Sequence, residues 1–424
     1  MISGLALIDM NNFYVSCERL FRPDLQGKPV IVLSNNDGCA VARSQEAKDL
    51  GIKMGDPWFK IRTEYTRAGG IAFSSNYTLY GDLSARIGDV LGTFSPDVET
   101  YSIDESFVRL TAMTPAALID QARAMRSMVQ QWIGIPCCVG LAQTKTLAKL
   151  ANYGAKKRLV DSSGVLSLLQ VDQRQAVMAR VAIADVWGVG PASATKLAAI
   201  GVTTAADLAA LDRRRARQLL GVVGERTAAE LAGVACLPLE LAASAPQGCA
   251  VTRSFGRPVT SWADMEAAVA NYATRAAAKL RRNRRAAGVV QVFMHTSPFR
   301  TADTPYSNSA VMQLAEQSAD SRVLIDAAVV LAGRIWRDGY NFSKAGVILA
   351  DLVDADRIQQ SFLSNTDRER AGVLMETMDR INRTMGAGTI VPGSAGVRRQ
   401  WAMRAERRTP RYTTQWAELP VVRA

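Results

Sequence analysis

Histidine is almost missing: the 424-residue chain holds one, His295. The six cysteines are scattered, and no Cys-x-x-Cys pair occurs. These shortages argue against a zinc site, which takes its ligands from clustered thiolates and imidazoles. They argue equally against a disulfide framework, and reduced thiols in a cytoplasmic protein are the simple expectation. No apolar run reaches the roughly 18 residues of a membrane span. The opening "MISGLALIDMNNFY" meets an acid early and lacks a basic leader, so neither an anchor nor a signal peptide is expected. Acid is also in deficit: 39 Asp and Glu face 51 Lys and Arg, a formal net charge of +12. A surplus of that size favours a polyanionic partner, with a merely basic soluble protein as the alternative. No internal repeat is visible.

Apolar residues are plentiful, at 48%. The chain can therefore build sizeable cores, and its length suggests about two to four domains. The N-terminal part mixes strands ("LALIDM", "KPVIVLS") with helices. In "SNYTLYGDLSARIGDVLGTF", Leu79, Leu83, Ile87 and Leu91 recur every four residues, which predicts an amphipathic helix. From about 166 to 240 the strand signal fades. There, "VWGVGPASATKLAAIGV" has the pattern of a helix-hairpin-helix. Gly188 and Gly190 would turn backbone N–H groups toward a DNA phosphate, with Lys196 nearby. An ordinary helical hairpin with a glycine turn is the alternative. The segment 241–248 is small and polar, a linker candidate. Beyond it, alternating strands and helices predict a β-α-β-β-α-β unit. The first helix of that unit ends in Arg281, Arg282, Arg284 and Arg285, more charge than a helix dipole needs, and a phosphate-facing role is expected. Residues 354–424 look less regular, a tail partly ordered on a partner. The whole reads as a multidomain α+β protein.

The chemistry centres on "YSIDES", residues 101–106. Asp104 and Glu105 are adjacent carboxylates among strand-like neighbours, and burying either without a partner is costly. Either both are solvated at a hairpin or a cation sits there. Asp9 closes the first strand. Folding that brought the three together would suit two Mg²⁺ ions roughly 4 Å apart, with Asp9 and Asp104 bridging and Glu105 on the ion near the nucleophile. Acids at strand ends are also commonly just solvated.

"DMNNFYVSCE" (9–18), "KPVIVLSNNDGCAVARSQEAK" (28–48), "YSIDES" and "VGLAQTKTLAKLAN" (139–152) together resemble the Y-family translesion DNA polymerases. "FRPDLQGKPV", "SNNDGC" and "KMGDPWFK" look like the polymerase V branch. The resemblance runs over nearly the whole chain. It implies a right-hand architecture, with palm at 1–19 and 76–165, small fingers at 20–75, and a helical thumb at 166–240. A little finger at 249–353 and a tail at 354–424 complete it. Residue by residue, Asp9, Asp104 and Glu105 match the metal-binding acids, with the Met10 carbonyl as a further ligand. Tyr14 matches the steric gate beside the incoming sugar, and Phe13 precedes it. Lys156 matches a triphosphate contact. Where other branches place a Tyr and an Arg in the fingers, Gln45 and Lys48 stand here, with Arg43 as a substitute. Gln359, Phe362 and Leu363 in "QQSFL" form an inverted version of a sliding-clamp peptide. The resemblance further implies primer-template DNA and dNTP as substrates, Mg²⁺ as cofactor, and a complex with a self-cleaved accessory dimer and RecA with ATP. It implies error-prone synthesis past DNA damage in the SOS response, since no stretch is left for a proofreading exonuclease. A catalytically inactive DNA-binding scaffold of the same fold is the rival reading, and a nucleotide cyclase built on the same palm is a second.

Overall fold

The computed structural model describes residues 2–160, 163–242, 245–300, 303–358, 367–396, 401–419 and 421. It contains two compact units: Met1–Ser34, Gly38–Ala243 and Arg407–Ala424 form one, and Asn35–Asp37 with Ser244–Glu406 the other.

The first unit begins with β1 (Ile2–Met10) and α1 (Phe13–Phe21), followed by β2 (Val30–Leu33), β3 (Ala40–Arg43), α2 (Gln45–Asp49), α3 (Trp58–Arg67) and β4 (Ile71–Ser74). Strands β2, β3 and β4 form a small three-stranded sheet with its own core of Ile31, Leu33, Trp58 and Tyr65. Next come α4 (Tyr77–Gly92), β5 (Val98–Thr100), β6 (Glu105–Ala112), α5 (Pro115–Ile133), β7 (Cys137–Ala142), α6 (Lys145–Lys157) and β8 (Val165–Ser167). The expected periodicity holds in α4: Leu79, Leu83, Ile87 and Leu91 are all buried. Helices α7 (Val171–Met178), α8 (Pro191–Ala198), α9 (Ala205–Ala210) and α10 (Arg213–Leu231) follow without a strand among them.

The main sheet runs β5-β6-β1-β7-β8, antiparallel except for the β7–β8 edge. Strand side chains alternate between faces, and here both faces are covered. Ala6 and Ile8 pack with α4 and α5, whereas Leu7, Phe107 and Cys138 pack with α6. Two residues on from Leu7, Asp9 falls on the α6 side, and so does Glu105, two before Phe107. Gly140 lets α6 come close: a Cβ there would stand 2.2 Å from Asn152 N and 2.3 Å from Ala148 O.

The second unit consists of β9 (Cys249–Val259), α11 (Trp262–Arg282), β10 (Arg285–Thr296), β11 (Ser307–Ser318), α12 (Ser321–Ile335), β12 (Phe342–Asp354) and α13 (Arg368–Thr384). The first six follow the β-α-β-β-α-β pattern and give an antiparallel sheet ordered β11-β10-β12-β9. Both helices pack on its apolar face. Described parts of the tail also pack on this chain. Met375 on α13 is buried, and Ala395 and Trp401 enter the core of the second unit. Arg407, Thr409 and Tyr412 lie against β4, α4 and α1 of the first unit.

Candidate active site

Strand register brings the acids together. Asp9 is directly opposite Glu105 across the β1–β6 ladder, and Met10 N donates to Asp104 O at 2.9 Å. Asp104 sits just before β6, its Oδ1 accepting a 2.7 Å hydrogen bond from Ser102 Oγ. Burial pushes the Asp9 carboxyl up to about 7; Lys156 opposes this and the neighbouring Glu105 carboxylate adds to it.

Helix α6 supplies the compensating charge. Lys145, Lys149 and Lys156 are spaced by four and seven residues, which places them on one stripe of a helix. Each meets one carboxylate: Lys145 pairs with Glu99 at 2.5 Å, Lys149 with Glu105 at 2.7 Å and Lys156 with Asp9 at 2.5 Å. The Lys149 ammonium also lies 4.4 Å from the Tyr101 ring centroid and 5.6 Å from that of Trp187. Lys145 and Lys149 were not singled out from sequence, although their spacing inside "TKTLAKLANYGAKK" carried the signal.

Among the described residues no three carboxylate, thiol or imidazole groups converge tightly enough to cage an ion as they stand. The donor chemistry nevertheless suits a hard divalent cation. Asp9 and Glu105 are facing carboxylates whose mutual repulsion is felt in the Asp9 proton affinity, and oxygen-only ligation is what Mg²⁺ or Ca²⁺ selects.

The two aromatic residues after the strand have different surroundings. Phe13, which precedes the expected gate, is 3% exposed and belongs to the core. Tyr14 is half-buried. Its ring stacks on Tyr80, centroids 4.5 Å apart and planes at 14°, and meets the edge of Tyr77 at 5.9 Å. Burial, Tyr77 and the Asp104 charge push its hydroxyl up to about 12. Tyr80 in turn donates to Glu18 Oε1 at 2.6 Å. Glu18 is fully buried, its Oε2 has no hydrogen-bond partner, and burial pushes its carboxyl up to about 7.

A basic cluster gathers around Lys48 of α2. Lys48 Nζ donates to Asn12 Oδ1 at 2.7 Å. Burial, then the charges of Arg43, Lys156 and Lys157, hold its proton affinity down. Arg43 Nη1 donates to Ile52 O at 2.9 Å while its buried Nε has no partner. Gln45 is engaged within its own helix, donating to Asp49 Oδ1 at 2.8 Å. Four cations gathered this way repel one another and favour a polyanion in their midst.

The other expected contacts divide. Gly188, at φ 89°, and Gly190, which caps α8 with no side-chain acceptor, form the turn before that helix. Lys196 is exposed in its last turn. Two of the four arginines have protein partners. Arg281 forks onto Asp379 with two 2.7 Å bonds and also donates to Ala319 O and Ser321 Oγ. Arg285 binds Asp354 at 2.5 Å and Leu352 O at 2.8 Å. Both are tied into the second unit, which leaves only Arg282 and Arg284 exposed. Charge density could not reveal this, because Asp379 is distant in sequence. Gln359, Phe362 and Leu363 lie outside the described residues.

Comparison with known proteins finds the impB/mucB/samB family at residues 8–153, and that family's C-terminal domain at 246–362. A domain of unknown function (DUF4113) matches 373–422. Protein UmuC of Salmonella typhimurium is 45% identical, covering 98% of this chain and 99% of the relative. Protein MucB of Escherichia coli is 44% identical over 98% and 99%. DNA polymerase IV of Desulfatibacillum aliphaticivorans is 26% identical over 91% and 95%. Among solved structures, a Y-family DNA polymerase chimera shares the fold with a TM-score of 0.65 at 20% identity, covering 82% of this chain and 99% of the other.

Proposed function

The chain belongs to the impB/mucB/samB family as a UmuC-like Y-family DNA polymerase, and on that premise we propose how its residues divide the work. The activity is error-prone translesion synthesis in the SOS response: template-directed addition of dNTPs to a primer 3′-hydroxyl across damaged DNA. The observation that carries the site reading is the register pair Asp9–Glu105, flanked by Asp104 and faced by lysines of α6.

Divalent metal use goes with the family, and we take the ions to be two Mg²⁺. Asp9, Asp104 and Glu105, with the Met10 carbonyl, would hold them. When bound, such ions stabilise the charge on the attacking and leaving oxygens of phosphoryl transfer. The chain's own groups do the positioning. Lys48, Arg43 and Lys156 offer a cationic bed for the triphosphate, and electrostatic preorganisation of this kind accounts for much of catalysis in phosphoryl transfer. The half-buried Tyr14 ring, beside Asp104, would occupy the space a ribose 2′-hydroxyl needs. Base pairing does not test for that hydroxyl, so the barrier must be steric.

In the same reading the five-stranded sheet is the palm, the three-stranded unit the fingers and α7–α10 the thumb. Gly188, Gly190 and Lys196 would meet a backbone phosphate of the primer-template. The second unit would be the little finger, reaching DNA through Arg282 and Arg284. An accessory self-cleaved dimer, RecA with ATP, and a sliding clamp at Gln359, Phe362 and Leu363 complete the proposed partners. Extension of a primer across an abasic site, with and without the accessory dimer and RecA, tests the reading. Insertion opposite the lesion supports it. DNA binding with no incorporation under any of these conditions would favour an inactive scaffold.

A further inference from the structure

The stretch from Arg407 to Tyr412, within the segment matched by the domain of unknown function, is tied down by specific contacts. It fastens to the first unit at three places. Arg407 N donates to Ser74 Oγ at 3.0 Å and Ser74 N to Arg407 O at 3.1 Å, at the end of β4. Tyr412 stacks on Phe21 at the end of α1, centroids 4.5 Å apart and planes at 19°. Between them, Asn76 Nδ2, at the cap of α4, donates to Thr409 O, Thr409 Oγ1 and Pro410 O at 2.9, 3.0 and 3.1 Å.

The middle fastening leads inward. Thr409 Oγ1, itself buried, donates to Glu18 Oε1 at 3.2 Å. That same oxygen accepts from the Tyr80 hydroxyl at 2.6 Å. The Tyr80 ring lies flat against Tyr14. Tyr80 is fully buried and its hydroxyl is held at one end by Glu18, so its ring plane is fixed. A half-buried ring stacked on a fixed one is fixed in turn. Glu18 is anomalous without this chain of contacts. A fully buried carboxyl with one unsatisfied oxygen is destabilising in itself, and Thr409 and Tyr80 are its direct side-chain donors among the described contacts.

We propose that the C-terminal segment acts as a brace for the sugar-selecting ring, with Thr409, Glu18 and Tyr80 as positioning residues that hold Tyr14 in place from behind. The inference rests on the reading of Tyr14 as the steric gate. A gate discriminates only as well as its backing resists displacement, because the two nucleotides differ by one oxygen and a ring that yields by a fraction of an ångström admits both. The role assigned to this part of the tail is therefore fidelity of sugar choice rather than attachment of a partner.

The test is single-nucleotide insertion by the full chain with its partners, using matched rNTP and dNTP and comparing the two kcat/KM values. Thr409→Val keeps the shape and removes the hydroxyl, and Tyr80→Phe keeps the ring and removes its tether. Each is expected to lower dNTP-over-rNTP selectivity by about three-fold or more, through faster rNTP insertion. Thr409→Ser restores the donor and should restore the ratio. Tyr14→Ala sets the limit, with a loss of about ten-fold or more, and adding Thr409→Val to it should cost no further selectivity. If Tyr14→Ala lowers the ratio while Thr409→Val and Tyr80→Phe leave it at the wild-type value, the brace is wrong and the gate stands. If Tyr14→Ala itself leaves the ratio unchanged, the gate reading fails. A Thr409→Val loss that persists in full on the Tyr14→Ala background would show an effect that bypasses Tyr14, and that also overturns the brace.

Discussion

Glu18 is the residue whose chemistry is most at odds with its position. It lies on α1, one turn from Tyr14, with no solvent exposure. Its carboxyl sits at about 7 instead of the ordinary 4.5, chiefly through burial, so the native state holds this proton more tightly than the unfolded chain does. The stability it contributes is therefore complete below about pH 4.5 and is lost as pH rises through about 7, by at most about 3 kcal/mol. Wild-type protein should show a first thermal transition that falls between about pH 4.5 and pH 7, and Glu18→Gln should flatten that fall. Parallel pH profiles for the two proteins would mean that Glu18 does not titrate in this range. Nothing in "DMNNFYVSCE" announced this. The motif pointed to Tyr14, but the backing of that ring comes from α4 and from residues nearly four hundred positions away, and local pattern carries no trace of such a contact.

At the scale of elements, the site depends on how close α6 lies to the sheet. The strand character of β1 was readable from its apolar run, and strand geometry then places Asp9 on the same face as Leu7. The lysine stripe of α6 was readable too, at spacings of four and seven, but only once the helix is known to lie over that face. Gly140 is what permits the approach. Gly140→Ala would drive a methyl into the backbone of α6, where no side chain can yield. It should destabilise the first unit by about 1–3 kcal/mol and lower nucleotide insertion more than primer-template binding. The first thermal transition and a binding isotherm check this together, and an unchanged transition would mean the helix shifts freely. Helix α11 teaches the opposite lesson. The four arginines around its C-terminus looked uniform in sequence, yet Arg281 on α11 and Arg285 at the start of β10 hold the second unit together. Arg282→Ala with Arg284→Ala should weaken primer-template binding for all sequences and flatten the slope of log affinity against log salt by about one to two. Arg281→Ala should leave that slope nearly unchanged while loosening α13, read as faster amide exchange in that helix. The reverse assignment of the two effects would contradict the contacts seen here.

Over the whole molecule, a net charge of +12 and two compact units suit an enzyme whose substrate is a long polyanion. Among the described residues no helix is long and apolar enough to cross a membrane. The order of elements was largely legible, because the apolar run of β1 and the period-four patterns of α4 and α11 are strong. The tail was not, because its anchoring uses single polar and aromatic contacts spread along a segment without periodicity. The acids were legible as a group through their motifs, whereas their pairing with lysines needed the fold. The account stands or falls on these carboxylates being the catalytic centre. Single-turnover dNTP insertion by Asp104→Asn, with primer-template affinity measured on the same preparation, tests this most directly. The account predicts that insertion is abolished while DNA affinity stays within a few-fold, since phosphate contacts elsewhere supply most of the binding. Wild-type-like insertion by the folded variant would contradict it.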